Sequence, residues 1–506
     1  MKKLILTVAV LALCMSATAQ QYIIVDNKLP ILASDVDKIT YEQDEQFNSR
    51  LLPAVLAADP KAQLFSGALQ ETGMAEMLCN YEYENYPPRE NYYIISGSWD
   101  PVVYYYNVTR NKMFTVFVET DDVLATQGIN SIDDLKAYAK QVYDTVYPED
   151  ANVSDPKDSR NSLNRFMAYH ILPFGCNYWN LTYYDGKQTD KVVDTDMTDI
   201  AVWYGTVLSN ASLKCSYPMG SESGVYLNRR GLKDGPDKYG KQIRGAKVVP
   251  GDSNDSDPFT HQAFNGYYFY IDRMLVYDKT TQEDVLGSEL WRVDFKALSP
   301  DIMNNAEELR GNFSFAEENY YSEDTKNGKN YVYDWNCLEN ITAENMNAPL
   351  LAHRAISYYP TYLCDMVEVR GEGGGITIKL PPLPPGEWEI RMGTAAMDSR
   401  PKLKVYLNDQ VTIDSLDLTQ NYDEADFPGK MKAPVECRSE YGGFVIWASI
   451  SEYNYNVRYP LGRITTDGKS DNYLKLEYLS DGIQGNNYNL LLDYFEFVPK
   501  PIYDNE

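Results

Sequence analysis

The chain has 506 residues, 44% hydrophobic and 24% charged, with 46 Lys and Arg against 73 Asp and Glu and a formal charge of −27. That length exceeds what one hydrophobic core usually organises, so two or three domains are expected, and the composition is that of a folded globular chain. The excess of negative charge argues against nucleic acid and anionic bilayers as partners, and leaves cations and neutral polymers such as glycans.

The first residues read as a targeting segment. Lys2 and Lys3 precede an apolar run from Leu4 to Leu13, and Ala17-Thr18-Ala19 offers a cleavage site that leaves Gln20 as the mature start. A second reading takes Leu11-Ala12-Leu13-Cys14 as a lipoprotein box, although Leu13 stands where a small residue is expected. Either route exports the chain, to the periplasm or the cell surface. The apolar run is too short to span a bilayer, and no later run is long enough. Six cysteines follow cleavage, at 79, 176, 215, 337, 364 and 437, none spaced as C-x-x-C. The expectation is buried thiols with one or two disulfides at most, and no zinc or redox motif.

From Ser49 the apolar residues Leu51, Leu52, Val55 and Leu56 recur at helical spacing. A second helix is expected from Ala62 to Glu71, with Phe65 and Leu69 on one face and Thr72-Gly73 as punctuation. Residues 80–107 are tyrosine-rich, acidic and broken by proline, and read as an inserted loop or short hairpin. "FTVFVETDD" (114–122) reads as a buried strand, after which Thr120 or Asp121 can cap a helix. A further helix is expected from Ser131 to Tyr143, with Ser131 as N-cap and Ile132, Leu135, Ala139 and Val142 on one face. In "SLNRFMAYHILP" (162–173), Leu163, Phe166, Met167, His170 and Ile171 share a face, Ser162 stands at the N-cap and Pro173 ends the run. An imidazole on such a face is more often a hydrogen-bonded core group than a catalyst. Asn265-Gly266 is a strong turn pair, followed by a strand from Tyr267 to Leu275.

Taken in order, these residues resemble fasciclin-type domains. The family pattern of a Phe-Thr-Val-Phe strand with Thr-Asp-Asp matches Phe114 to Phe117 with Thr120, Asp121 and Asp122. Its Tyr-His-x-Leu-Pro signature matches Tyr169, His170 and on to Pro173, and its Asn-Gly turn before a strand ending Ile-Asp matches Asn265, Gly266, Ile271 and Asp272. Glu119 replaces a usual proline, and Phe269 stands where the family often has a second histidine. The matched span is longer than the usual module, with residues 80–107 and the polar stretch from about Asp185 to Pro258 as the excess. The resemblance implies that His170 belongs to the structural framework, and that the span binds and does not catalyse.

After about Gly287 the texture turns to strands. Residues 375–380, 386–392, 402–409, 443–450, 473–479 and 488–499 alternate apolar and polar side chains between Gly, Pro and Asn-Asp turns, the pattern of an antiparallel sandwich. The order of a proline turn, a Gly-x-Trp-x-Ile strand and a closing Leu-Asp-Tyr-x-Glu strand resembles a jelly roll of the galactose-binding-like type. Catalytic motifs do not assemble. "GPDKYGKQ" (235–242) lacks the hydroxyl residue of a phosphate loop, and "GSESG" (220–224) lacks the spacing of a nucleophile elbow. Asp252, Asp255 and Asp257 lack the glycine and distal glutamate of a calcium loop, and the histidines are only three, at 170, 261 and 353. No carboxylate pair stands out for glycoside cleavage.

The sequence therefore leads to an α+β chain: a targeting segment at 1–19, a fasciclin-like mixed helix and β-sandwich domain at 35–285, and an all-β jelly-roll-like sandwich at 286–506. The expected function is non-enzymatic binding or adhesion at the cell envelope, with an extracellular glycan or surface protein as partner and no cofactor or metal. Its framework residues are Phe114, Thr120, Asp121, Tyr169, His170, Asn265, Gly266 and Asp272. Two other readings stay open: a glycoside hydrolase or accessory subunit of polysaccharide uptake, and a structural subunit of an envelope assembly.

Overall fold

The computed structural model describes residues 22–23, 31–32, 49–81, 93–96, 101–106, 112–182, 200–218, 224–231, 235–237, 240–251, 259, 261–306, 330–333, 335, 338–355, 365–396, 400–419, 431–432, 437–438, 444–445, 456–479 and 489–505. The targeting segment with Cys14, the acidic run 252–257, most of the 443–450 strand, Cys337 and Cys364 lie outside them. The chain divides into two compact units, Met1–Ser49 and Arg50–Glu506. In the first, Tyr22–Ile23 pairs antiparallel with Ile31–Leu32.

The second unit is mostly β, with most of its helices before residue 170. Helices Leu52–Ala58, Gln63–Glu71 and Ile132–Val146 form where the apolar spacing places them. Ser131 caps the last of these by accepting from the Asp134 amide, and Asp133 and Asp134 favour the positive end of its dipole. Thr120 is the cap of helix Asp121–Ala125, accepting from the Val123 amide at 3.3 Å. Asp121 instead caps a different helix, taking the Leu64 amide at 3.0 Å because Ala62, at that N-cap, has no side-chain acceptor. Gly73, at φ +74°, lets the chain turn directly into helix Met74–Cys79.

Helix Ser162–Tyr169 departs from expectation at both ends. Its cap is Asn161, which accepts from the Leu163 amide at 3.0 Å, while the Ser162 hydroxyl donates to Asp144 at 2.7 Å. It stops at Tyr169, before Pro173 can act, because Ile171–Leu172 is drawn into pairing with Val116 and Thr115.

An eight-stranded sheet runs in the order 171–172, 114–119, 266–271, 246–249, 226–227, 212–217, 200–205, with 261–263 paired beside 266–271. Strands Phe114–Glu119 and Gly266–Ile271 are parallel, from Phe114 opposite Gly266 to Glu119 opposite Ile271. The latter strand ends at Ile271 and not at Leu275. The polar stretch taken as excess supplies four strands of this sheet: Ile200–Gly205, Ser212–Tyr217, Tyr226–Leu227 and Ala246–Val249. Its polarity hid it. In Ser212–Tyr217 every residue is buried, and Lys214 sits there because Glu289 meets its ammonium at 2.6 Å.

Beyond residue 286 the strands fall into a ten-stranded and a five-stranded sheet, an arrangement consistent with a β-sandwich, with a separate two-stranded pair of Cys437–Arg438 and Phe444–Val445. The smaller runs in the order 341–344, 375–379, 473–478, 402–407, 410–417, antiparallel throughout. The tyrosine-rich stretch is a hairpin, Tyr93–Ser96 with Pro101–Tyr106, whose second strand pairs in parallel with Asn330–Tyr333 and so joins the large sheet. The boundary expected at 285/286 falls at the end of the helical turn Thr281–Leu286, and apolar packing continues across it. Trp203 of the eight-stranded sheet stacks on Trp291 at 5.9 Å, and Trp291 meets Trp388 edge-on at 5.4 Å. Truncating a tryptophan in such a core costs about 3–5 kcal/mol. No helix among the described residues is long and apolar enough to cross a membrane.

Candidate functional site

The framework residues lie along the parallel strand pair and at its two ends. At one end the Phe114 amide donates to the Asn265 carbonyl at 3.0 Å. The Asn265 side chain accepts from the Leu52 amide at 2.8 Å and donates to the Leu78 carbonyl, so one amide ties two helices to the sheet. Gly266 is required there: φ is +148°, and a Cβ would stand 2.0 Å from the Phe114 oxygen.

At the other end His170 is fully buried. Its Nδ1 lies 2.7 Å from the Phe166 carbonyl, which can only accept, so Nδ1 carries a proton. Its Nε2 lies 2.8 Å from Glu119 Oε1. Glu119 Oε1 also accepts from the Leu275 amide at 2.8 Å. The rings of Phe166 and Phe65 close over the imidazole at 4.5 and 5.6 Å. Both ring nitrogens are thus engaged inside the protein, and neither faces a cleft.

The remaining framework residues have similar surroundings. Tyr169 donates to the Ser212 carbonyl at 3.0 Å and accepts from Asn228 at 2.9 Å, while burial pushes its phenol pKa well up. Asp272 accepts from the Lys247 amide at 2.9 Å and pairs with Arg244 at 2.6 Å. Glu119 is the functional partner that sequence reasoning passed over. Its signal was present: an acid inside an apolar strand needs a cation or donor, and the lone apolar-face histidine needed an acceptor.

Other buried polar groups resolve in the same way. Asp59 accepts the phenols of Tyr268, at 3.1 Å, and Tyr270, and burial together with that carboxylate raises both phenol pKa values. His261 stacks on the Tyr268 ring at 4.6 Å and meets the Tyr270 ring at a tilt at 4.7 Å. In the large sheet burial pushes the Glu496 carboxyl up, but Arg292 at 2.7 Å and Arg458 at 2.8 Å outweigh it and hold the group below its usual range. Cys79 and Cys215 are unbridged, and burial pushes the Cys215 thiol well up, away from reactivity. Among the described residues no group of three or more His, Cys, Asp or Glu is placed to hold a metal.

The outer face of the five-stranded sheet is arranged differently. Leu403, Val405, Leu407, Leu474, Leu476, Ile376 and Ile378 point into the core, so the intervening side chains face solvent. Across the strands, Thr342, Thr377, Lys475, Tyr406 and Val411 stand opposite one another in a single row. Val411 and Tyr473 are the two exposed large hydrophobic side chains among the described residues, at 44% and 42%. Both lie on this face, one on each side of Tyr406. Tyr406 donates to Glu477 at 2.7 Å, and that carboxylate keeps its phenol pKa raised. Glu344 is held below the usual carboxylate range by Lys475, at 2.7 Å, and by the Thr377 hydroxyl, at 2.6 Å.

The backbone under Tyr473 is clamped. Its amide donates to the Asn408 side chain at 2.9 Å, and the Asn408 amide donates back to its carbonyl at 3.0 Å. Asn408 and Asp409 form the hairpin turn, with φ +47° and +64°, a conformation these residue types tolerate. An exposed ring on a fixed backbone loses little freedom on binding.

No protein-family model matches the chain, and a search of curated proteins finds no match. Among solved structures, 34% of the chain is similar to 13% of a Paenibacillus xanthan lyase, with 10% identity and a TM-score of 0.22. A stretch of 33% is similar to 97% of a family 35 carbohydrate-binding module from Clostridium thermocellum, with 10% identity and a TM-score of 0.15. A stretch of 59% is similar to 55% of an exo-β-1,3-galactanase from Phanerochaete chrysosporium, with 12% identity and a TM-score of 0.16. Likeness at this level leaves the functional reading to the geometry.

Proposed function

We propose that this chain is an exported, non-enzymatic binding protein of the cell envelope that recognises an extracellular glycan, with a fasciclin-like N-terminal half as its rigid support and a galactose-binding-like sandwich carrying the contact surface. One observation carries the reading: exposed Tyr473 and Val411 flank Tyr406 on a face otherwise made of hydrogen-bonding side chains. A sugar ring presents apolar C–H faces and a rim of hydroxyls, and an aromatic with a polar tip, set among fixed donors and acceptors, meets both. Supporting the non-enzymatic part, His170 has both nitrogens committed to internal partners. Supporting export, residues 1–19 have the charge and apolar pattern of a targeting segment.

The test is affinity electrophoresis of the mature chain through gels containing soluble polysaccharides, beside an assay for released reducing ends. Retardation without release is the expected result. Release of reducing ends that disappears on replacing an acid of the chain would establish a glycoside hydrolase instead. Absence of retardation in every gel would remove the glycan and point to a protein partner.

A further inference from the structure

Resting on that reading, we infer that the outer face of the five-stranded sheet takes a neutral glycan chain and discriminates against uronate- and sulfate-bearing ones. The argument is the pairing of charge on the face. Each of its lysines is held by an acid beside it: Lys475 by Glu344 at 2.7 Å, Lys379 by Asp471 at 2.9 Å, Lys402 by Asp417 at 3.4 Å and Lys404 by Asp414 at 3.7 Å. Glu477, the remaining acid, takes the Tyr406 hydroxyl. An anionic sugar reaches a cation here only by breaking one of these pairs and leaving a carboxylate facing it.

Two further features act in the same direction. The five strands contain no arginine, the side chain whose planar fork fits carboxylate and sulfate oxygens. The whole chain also carries −27, which repels polyanions at long range. For uncharged hydroxyls the paired groups are an advantage, since each ion pair is a preset donor and acceptor whose orientation its partner fixes.

The strip gives the direction in which the chain lies. Tyr406 stands directly opposite Lys475, and Tyr473 is two residues before Lys475 on the same face. Tyr473 and Tyr406 are therefore diagonal neighbours, about 7–8 Å apart, and Val411 lies directly across from Tyr406 at about 5 Å. Three apolar surfaces in sequence suit a short run of consecutive sugar rings laid across the strands. The ring of Tyr406 is steadied by Lys404 and Lys475, whose ammonium groups lie 5.6 and 5.7 Å from its centre.

The experiment runs the mature protein through gels of galactomannan, xyloglucan and galactan as neutral probes, and of polygalacturonate, alginate and chondroitin sulfate as acidic ones, each at low and high NaCl. Tyr473→Ala and Tyr406→Ala are run beside it, with a melting curve for each to show that it is folded. The expected result is retardation by a neutral polysaccharide, insensitive to salt and weakened about tenfold or more by each substitution. Retardation by an acidic polysaccharide that salt abolishes would overturn the neutral class while leaving the glycan reading standing. Retardation by a neutral polysaccharide that survives both substitutions would overturn the placement on this face. If no polysaccharide retards the protein, the glycan reading and this inference fall together.

Discussion

The knot around His170 and the outer face of the five-stranded sheet both use a carboxylate held by a nitrogen, and their surroundings give the two pairs different work. Glu119 and His170 are wholly buried, while Glu344 and Lys475 keep 38% and 32% of their side chains exposed. A pair that has lost all its water depends on partners inside the protein and becomes part of the fold. A pair still in water contributes little to stability and is available to a ligand. The difference teaches that the residue type in a sequence does not mark the working site. Exposure does, together with whether each polar atom already has a partner.

The largest expected effect lies at the knot. Glu119→Ala leaves His170 Nε2 and the Leu275 amide without their acceptor, and His170→Ala leaves a cavity and an orphaned carboxylate. Each is expected to cost about 3–5 kcal/mol in denaturant unfolding, without changing glycan retention per folded molecule. The double variant Glu119→Leu with His170→Phe removes both polar partners together and sharpens the comparison. It is expected to recover a large part of the loss, since replacing a buried pair by apolar groups is often neutral. A double variant as unstable as the sum of the two singles would contradict the pairing.

The acid response separates buried from exposed carboxylates. Glu496 has its pKa lowered in the folded state, so its stabilising contribution is present above the unfolded value and is lost as pH falls through the folded one. Glu496→Gln is expected to destabilise by about 3–5 kcal/mol at neutral pH, since the buried Arg292 and the half-buried Arg458 are left without their anion. It is also expected to flatten the acid limb of the stability profile. Glu344 has the same sign of shift but lies near the surface. Lys475→Met should therefore move stability by less than about 1 kcal/mol.

The sequence made the helices and the alternating strands of the small sheet legible, because each buries one stripe or one face, while the parallel pairing of Phe114–Glu119 with Gly266–Ile271 has no signature in either segment alone. The Ser212–Tyr217 strand was not legible, since Ser212, Lys214 and Ser216 are polar yet buried, and the partners of Ser212 and Lys214 lie far along the chain. Lys214 meets Glu289, which is 75 residues away. The partner of His170 was not legible, because Glu119 is 51 residues away and no local period links them. The face proposed for binding was hidden for a different reason. Tyr406, Tyr473 and Val411 look like ordinary outward positions until strand register places them side by side.

The smallest expected effect on stability belongs to the residue on which the proposed recognition depends most. Tyr473→Ala should shift unfolding by no more than about 0.5 kcal/mol, as surface truncations do. Its affinity for a neutral polysaccharide such as galactomannan, set beside that of folded His170→Ala, tests the account most directly. A loss of about tenfold or more at Tyr473 with none at His170 is the predicted result. Unchanged affinity at Tyr473, with binding abolished in folded His170→Ala, would contradict it.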